Sequence, residues 1–174
     1  HFEEQKYYGL GRDNLKFFAQ GVMPATDFEG NLLLADQDSL ALSPNGHGGS
    51  LKALIDSGSV ADMAERGIEH VSYFQVDNPL VSIINPLLIG LHDLQRSDMS
   101  SRSLTKTGPF EKLGNFVSIG DRVTIIEYSD LPEEKALEKD SKGRIKYRAG
   151  SPAIHVLRRD FIEQFASGEI KLPY

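Results

Sequence analysis

Cysteine is absent from the 174 residues, which excludes disulfides, thiolate zinc sites and cysteine nucleophiles. No apolar run is long enough to span a bilayer, and the opening residues lack the pattern of a signal peptide. Positive charge is in deficit: 19 Lys and Arg against 25 Asp and Glu leave a formal net charge of -6. That balance disfavours nonspecific binding to nucleic acid or to an anionic membrane. It leaves a phosphate ligand open, because a few lysines, backbone amides and a metal ion suffice locally. The expectation is a cytoplasmic chain whose partners include neither nucleic acid nor membrane.

What is present is ordinary globular composition, 40% hydrophobic and 25% charged, with length enough for one domain with a core. The chain begins on His1 rather than Met, inside a helical-looking stretch, which suggests a piece of a longer chain. No internal repeat, low-complexity tract or linker divides it, so residues 1–174 read as a single, partial domain.

The most informative stretch is Ser43-Pro44-Asn45-Gly46-His47-Gly48-Gly49, running into Ser50-Leu51-Lys52-Ala53-Leu54. A proline and three glycines in seven residues predict a loop, and the helical spacing after it predicts that the loop opens a helix. Such a junction offers bare backbone N–H groups to a ligand. Taken alone, a loop of this kind is most often a plain turn. Gly9-Leu10-Gly11-Arg12 lacks a preceding strand and a third glycine and reads as a helix C-cap and turn, after helical character over residues 2–8.

Along the chain, residues 15–19 read as a short buried strand. It ends at Gln20, whose amide can donate and accept to a base edge or serve as a polar loop residue. Residues 31–35 and 40–42 read as a hairpin, with Asp36-Gln37-Asp38 a solvated turn. Ser50 to Asp56 is predicted helical. Ser59 starts a second helix as its N-cap, with Gly67 closing it. The β-branched and aromatic run from His70 to Val76 follows a helix, as a central strand of an α/β sheet does. It stops at Asp77-Asn78-Pro79. Ligands of open α/β sheets bind beyond the carboxyl ends of strands, and a carboxylate there could hold Mg²⁺ against phosphates. The same residues read equally as a turn or cap.

Asn85-Pro86 caps a helix through Leu94. Residues 100–106 alternate as a strand. Residues 114–119 and 122–128 form strands joined by Gly120-Asp121, a hairpin signal. Glu127 falls near the end of the second strand. Residues 132–139 read as a charged, solvated helix. Residues 145–148 and 153–157 read as short strands, and residues 159–167 as an amphipathic helix closed by Gly168.

These stretches together resemble the UDP-sugar pyrophosphorylase family, over about Phe17 to Phe161. The resemblance is carried by Phe17-Phe18-Ala19-Gln20-Gly21, Pro44-Asn45-Gly46-His47-Gly48-Gly49, Asp62-Met63 with Arg66-Gly67-Ile68, and Val76-Asp77-Asn78. Further along it is carried by Asn85-Pro86 with Ile89-Gly90, Lys106-Thr107 before Glu111 and Gly114, Glu127-Tyr128-Ser129, and Ala149-Gly150 with His155. Each is weak alone; their order and spacing carry the assignment, nearest the N-acetylglucosamine type.

The resemblance implies the reaction UTP + sugar 1-phosphate ⇌ UDP-sugar + diphosphate with Mg²⁺, the sugar being N-acetylglucosamine or glucose. It implies that Gln20, Pro44, Gly46 and His47 hold uracil and ribose. Asp77 would be the catalytic carboxylate that binds Mg²⁺, and Gly114, Glu127 and Ser151 would meet the sugar. His155 matches the pattern, with a packing role as the equal alternative. The implied fold is a Rossmann-like, mainly parallel sheet of the nucleotidyltransferase type, with an antiparallel sugar-side subsheet over residues 106–148, in an incomplete domain.

Three departures stand out. The family's Leu-x-x-Gly-Gly-x-Gly-Thr-Arg-Leu-Gly phosphate loop does not occur in this sequence. His47 is the residue of glucose enzymes, yet Gly49 is not the aspartate usual there. Ser151 replaces an asparagine of acetamido-sugar enzymes. The chain alone is therefore expected to be inactive and to self-associate through uncovered sheet surface. The competing reading is a non-catalytic nucleotide-sugar-binding module. A UDP-sugar-dependent transferase with an Asp-x-Asp metal pair is a third.

Overall fold

A computed structural model describes residues 1–166. In chain order these form β1 (Val22–Pro24), β2 (Leu34–Asp36), β3 (Ser39–Leu40), β4 (Leu42–Pro44), α1 (Gly46–Asp56), α2 (Ser59–Glu65), β5 (His70–Tyr73) and α3 (Pro86–Leu94). Next come β6 (Met99–Ser101), β7 (Leu104–Thr105), β8 (Gly114–Ile119), β9 (Arg122–Ile126), α4 (Glu133–Ala136), β10 (Ala149–Ser151), β11 (His155–Arg158) and α5 (Arg159–Ala166). The chain divides into two compact units, residues 70–158 forming one and the segments on either side the other.

In the first unit β1 pairs antiparallel with β4, Val22 facing Pro44 and Met23 facing Ser43. Hairpin β2–β3 turns at Gln37 and Asp38, with Asp36 pairing to Ser39 at the end of β2, and Leu42 pairs with β1 instead of extending the hairpin. Helices α1, α2 and α5 pack together, and Ala53, Val60 and Ile162, one from each, are buried. Arg159 fastens α5 to the chain entering the second unit, its Nε donating to the Ile68 carbonyl at 3.0 Å. Gly67, at a φ of +67°, ends α2 as predicted.

Several local expectations are corrected. Residues 2–8 are not a helix, because Lys6, Tyr7 and Tyr8 have φ of 49°, 53° and 52°, which a right-handed helix does not admit. Residues 15–19 form no strand and are not buried; they lack a neighbouring strand to bond, and Phe17 meets Phe2 edge-to-face at 4.9 Å instead. The glycine-rich stretch is not a loop throughout, since α1 begins at Gly46 and takes in Gly48 and Gly49. Ser59 is the first residue of α2 rather than its cap, the cap being Gly58 in a left-handed conformation. The end of the last helix, at Ser167 and Gly168, lies outside the described residues.

In the second unit β11 lies between β5 and β6, antiparallel to both. Strands β5 and β6 therefore run in the same direction, with α3 as the connection between them. Asn85 caps α3 as the sequence predicts, its Oδ1 accepting from Leu88 N at 3.0 Å. A four-stranded antiparallel sheet, in the order β7-β10-β8-β9, forms the other half. Its β8–β9 hairpin turns on Gly120 at φ +59°. The core is Ile154, Val156, Leu157 and the ring of His92.

The architecture is thus mixed α/β with small antiparallel sheets. The mainly parallel sheet is not found among the described residues, where every strand pair is antiparallel. The physical reason is a long-range pairing: β5, α3 and β6 have the connectivity of a parallel crossover, but β11 inserts between the two strands and takes both sets of ladder bonds. The antiparallel subsheet is present. The charged helix over residues 132–139 shortens to the single turn α4.

Candidate functional site

In the first unit, the β1–β4 pairing sets Gln20 against the start of α1. Gln20 Nε2 donates to the Gly46 carbonyl at 2.7 Å and to Asn45 Oδ1 at 3.0 Å. Its Oε1 accepts from Ser50 Oγ at 3.4 Å. A carbonyl can only accept, so the Gly46 oxygen fixes which end of the Gln20 amide faces the helix. Gly46 has φ +74°, the left-handed region in which glycine carries no steric cost. Asn45 makes no side-chain cap bond to α1, and a helix start is where backbone N–H groups can meet a ligand. The structure thus brings Gln20, Pro44 and Gly46 together. His47 lies exposed in the first turn of α1.

In the second unit, Gly114 opens β8 opposite Ser151 of β10, and Asn115 beside it faces Ile126 of β9. Glu127 comes immediately after that strand. A Cβ built on Gly114 would stand 2.7 Å from Ile125 Cγ2, 3.5 Å from Glu127 Oε1 and 3.6 Å from Ser151 Cβ. No side chain fits at 114, where the buried backbone packs under Ile125 and lies beside the Glu127 carboxylate and the Ser151 side chain. Glu127 is exposed and Ser151 is 8% exposed. Three residues far apart in sequence thus converge on one backbone position. They offer amide, carboxylate and hydroxyl, the donor and acceptor set that a polyhydroxylated ring requires.

Asp77 does not sit on a strand end. β5 stops at Tyr73, and Asp77 lies exposed in a turn where Asn78 N donates to the Gln75 carbonyl at 3.2 Å. The turn reading of Asp77-Asn78-Pro79 is the one observed. Among the described residues no group of three or more His, Asp or Glu is arranged to hold a metal ion. A single accessible carboxylate fits Mg²⁺ only as an ion arriving with phosphate oxygens, the manner in which Mg²⁺ is commonly bound. His155 stacks on Tyr73 at 5.8 Å, and its Nδ1 bonds Ser101 Oγ at 2.8 Å, a packing position within the sheet.

Two residues beside these sites were given no role by the sequence. Asn45 orients Gln20, and a Cβ at Gly49 would lie 1.7 Å from its Oδ1, so the glycine makes room for it. Lys106 is 5% exposed, and burial holds its ammonium pKa below the ordinary lysine range, with Glu111 acting the other way. The sequence signals for Lys106 are its place at the end of an alternating run before Thr107-Gly108-Pro109 and its part in the Lys106-Thr107 motif of the family resemblance, neither of which gives it a role.

A family model described as UTP–glucose-1-phosphate uridylyltransferase matches residues 2–152. A Schizosaccharomyces pombe protein named "Probable UDP-N-acetylglucosamine pyrophosphorylase" is 35% identical, over 99% of this chain and 37% of its own length. The Saccharomyces cerevisiae UDP-N-acetylglucosamine pyrophosphorylase is 33% identical, over 94% of this chain and 35% of its own length. The crystal structure of the Trypanosoma brucei uridine diphosphate N-acetylglucosamine pyrophosphorylase with an inhibitor superposes with a TM-score of 0.80. That comparison has 24% identity over 97% of this chain and 34% of that one, and shows a shared fold. The chain spans little more than a third of the length of the curated relatives it matches.

Proposed function

This chain belongs to the UTP–glucose-1-phosphate uridylyltransferase family, and from that premise we propose that it is the recognition segment of a UTP:sugar-1-phosphate uridylyltransferase acting on N-acetylglucosamine 1-phosphate. In the first unit Gln20, Pro44, Gly46 and His47 take the uracil and ribose. In the second, the Gly114 backbone, Glu127 and Ser151 take the sugar. The observation that carries the reading is the convergence of Glu127 and Ser151 on the Gly114 backbone. The relatives' names support the acetamido sugar, whereas His47 and Ser151 keep glucose as the alternative to be tested.

In the proposed reaction an oxygen of the sugar phosphate forms a bond to the α-phosphorus of UTP. The bond from that phosphorus to the bridging oxygen breaks, and diphosphate leaves with the electron pair. Such chemistry rests on positioning and charge neutralisation rather than on a covalent nucleophile. Glu127 accepts sugar hydroxyl protons and orients the ring, and the α1 N-terminus donates to the nucleotide. Asp77 is the residue that would hold Mg²⁺, which when bound supplies positive charge against the phosphates. In the proposal the whole enzyme has the mainly parallel Rossmann-like sheet, built on the open edge of β5, and works in the cytoplasm.

The test is calorimetric titration of the chain with UDP, UDP-N-acetylglucosamine and UDP-glucose in Mg²⁺, alongside Glu127→Ala, with a turnover assay on UTP and each sugar 1-phosphate. UDP-N-acetylglucosamine should bind more tightly than UDP. Glu127→Ala should erase that increment by about tenfold or more, the worth of a hydrogen bond to a charged group, while UDP binding stays. No UDP-sugar should form, because the sequence holds no glycine-rich phosphate loop to cradle the departing diphosphate. A Glu127→Ala variant that binds both sugars as the parent does would sink the assignment, and measurable turnover would sink the expected inactivity.

A further inference from the structure

Lys106 occupies a position that its charge makes costly. Its ammonium donates to Asn115 Oδ1 at 2.7 Å and to the Pro109 carbonyl at 3.2 Å, both neutral acceptors. Asn115 is 0% exposed and passes the connection on, its Nδ2 donating to the carbonyls of Ile126 at 3.2 Å and Leu113 at 3.4 Å. In the sheet Asn115 faces Gly150 on one side and Ile126 on the other. It therefore adjoins all three sugar-side residues: it comes directly after Gly114, and its partners immediately precede Glu127 and Ser151. The Lys106 stem reinforces the same spot, since a Cβ on Gly150 would stand 3.1 Å from Lys106 Cγ. Beside the ammonium is a cavity of about 280 Å³, lined also by Phe110, Tyr128 and Leu131. The cavity leaves the ammonium oriented by its hydrogen bonds, while the stem is packed against Gly150.

We propose that Lys106 is a positioning residue for sugar recognition: through Asn115 it fixes the Gly114 backbone and the strand ends that carry Glu127 and Ser151. It touches no substrate itself. The proposal rests on the uridylyltransferase reading for what those three residues bind, though not for the network. A buried cation between two strand ends suits this task, because charge-assisted bonds to Asn115 Oδ1 and a main-chain carbonyl are stronger and more directional than neutral ones.

The chain has no cysteine, so Lys106→Cys creates a unique thiol. Alkylating it with bromoethylamine in the unfolded chain, then refolding, rebuilds a near-lysine ammonium. The parent, Lys106→Met, and Lys106→Cys before and after alkylation are titrated with UDP, UDP-N-acetylglucosamine and UDP-glucose. Amide exchange is monitored at Gly114, Asn115 and Glu127. Lys106→Met is expected to keep UDP affinity and to lose about tenfold in the sugar increment; alkylation is expected to restore most of it. Parental sugar affinity in Lys106→Met overturns the proposal, as does equal loss of UDP and UDP-sugar binding or a failure of alkylation to restore. If the parent itself gains nothing from the sugar, the functional reading fails and the network is judged by exchange. Faster exchange at the three amides in Lys106→Met, slowed again by alkylation, then upholds it, and unchanged exchange overturns it.

Discussion

His92 is 1% exposed on the inner side of α3, its Nδ1 bonded to Ser100 Oγ at 2.9 Å and its Nε2 buried without a hydrogen-bond partner in the structure. Burial holds its pKa below 6.5, helped by the charges of His70 and Arg158 and opposed by Asp93 and Asp98. A histidine depressed in the folded state takes its proton more readily when unfolded. Its contribution to stability is therefore present above pH 6.5 and is lost as pH falls below it. The parent should melt at a lower temperature at pH 5.5 than at pH 7.5, and His92→Gln, which keeps a donor for Ser100, should flatten the difference. An equally steep fall in the variant would assign the effect to another group. At this scale the sequence suggests candidates without placing them. Gln20 could be singled out by an amide able to read a base edge, although the strand it was expected to end does not form, and Glu127 by the family resemblance alone. Lys106 could not, because a lysine is read as solvated unless its partner is known, and Asn115 meets it only through the sheet.

Helix α1 is the element at which local propensity and tertiary packing disagree. Glycine costs roughly 0.5–1 kcal/mol in a helix interior relative to alanine, which is why the glycine-rich stretch reads as a loop. The structure places Gly49 inside α1 because Asn45 lies across it, 1.7 Å from where a Cβ would stand, and Asn45 is the acceptor that orients Gln20. Gly49→Ala should therefore displace Asn45 and weaken UDP binding several-fold, even though alanine favours the helix. Gly90→Ala on α3 is the matched control: nothing lies within 4 Å of a Cβ there, so it should add about 0.5–1 kcal/mol of stability and leave binding alone. Denaturant unfolding and UDP titration of both variants decide it. A Gly49→Ala chain that is stabilised and binds UDP normally would mean that Asn45 has no orienting role. Some caps and tight turns, by contrast, were legible: Asn85-Pro86, Gly67 and Gly120-Asp121 act within a few residues, although the cap of α2 is Gly58 and not Ser59.

At the scale of the whole chain, strand pairing was the least legible feature. The helix between β5 and β6 correctly indicates two strands running the same way, but β11 arrives from more than fifty residues downstream and separates them. Only a pairing that long in sequence could change the sheet's character, and no local pattern announces it. The outer face of α3 is legible in hindsight: Leu87, Leu91 and Leu94 recur at helical spacing and are 72%, 51% and 74% exposed, beside Ile83 and Ile84 at 52% and 74%. The opposite side, with His92, is the one that packs. A stripe of this kind is costly in water, and in a solution of the purified chain the stripe of another copy can cover it. The isolated chain should therefore sediment as a mixture whose average mass rises with concentration. Leu87→Lys with Leu91→Lys should shift it toward the monomer without altering UDP binding in the other unit. If the parent sediments as a monomer across the micromolar range, or if the double variant associates as strongly as the parent, the stripe is not a self-association surface.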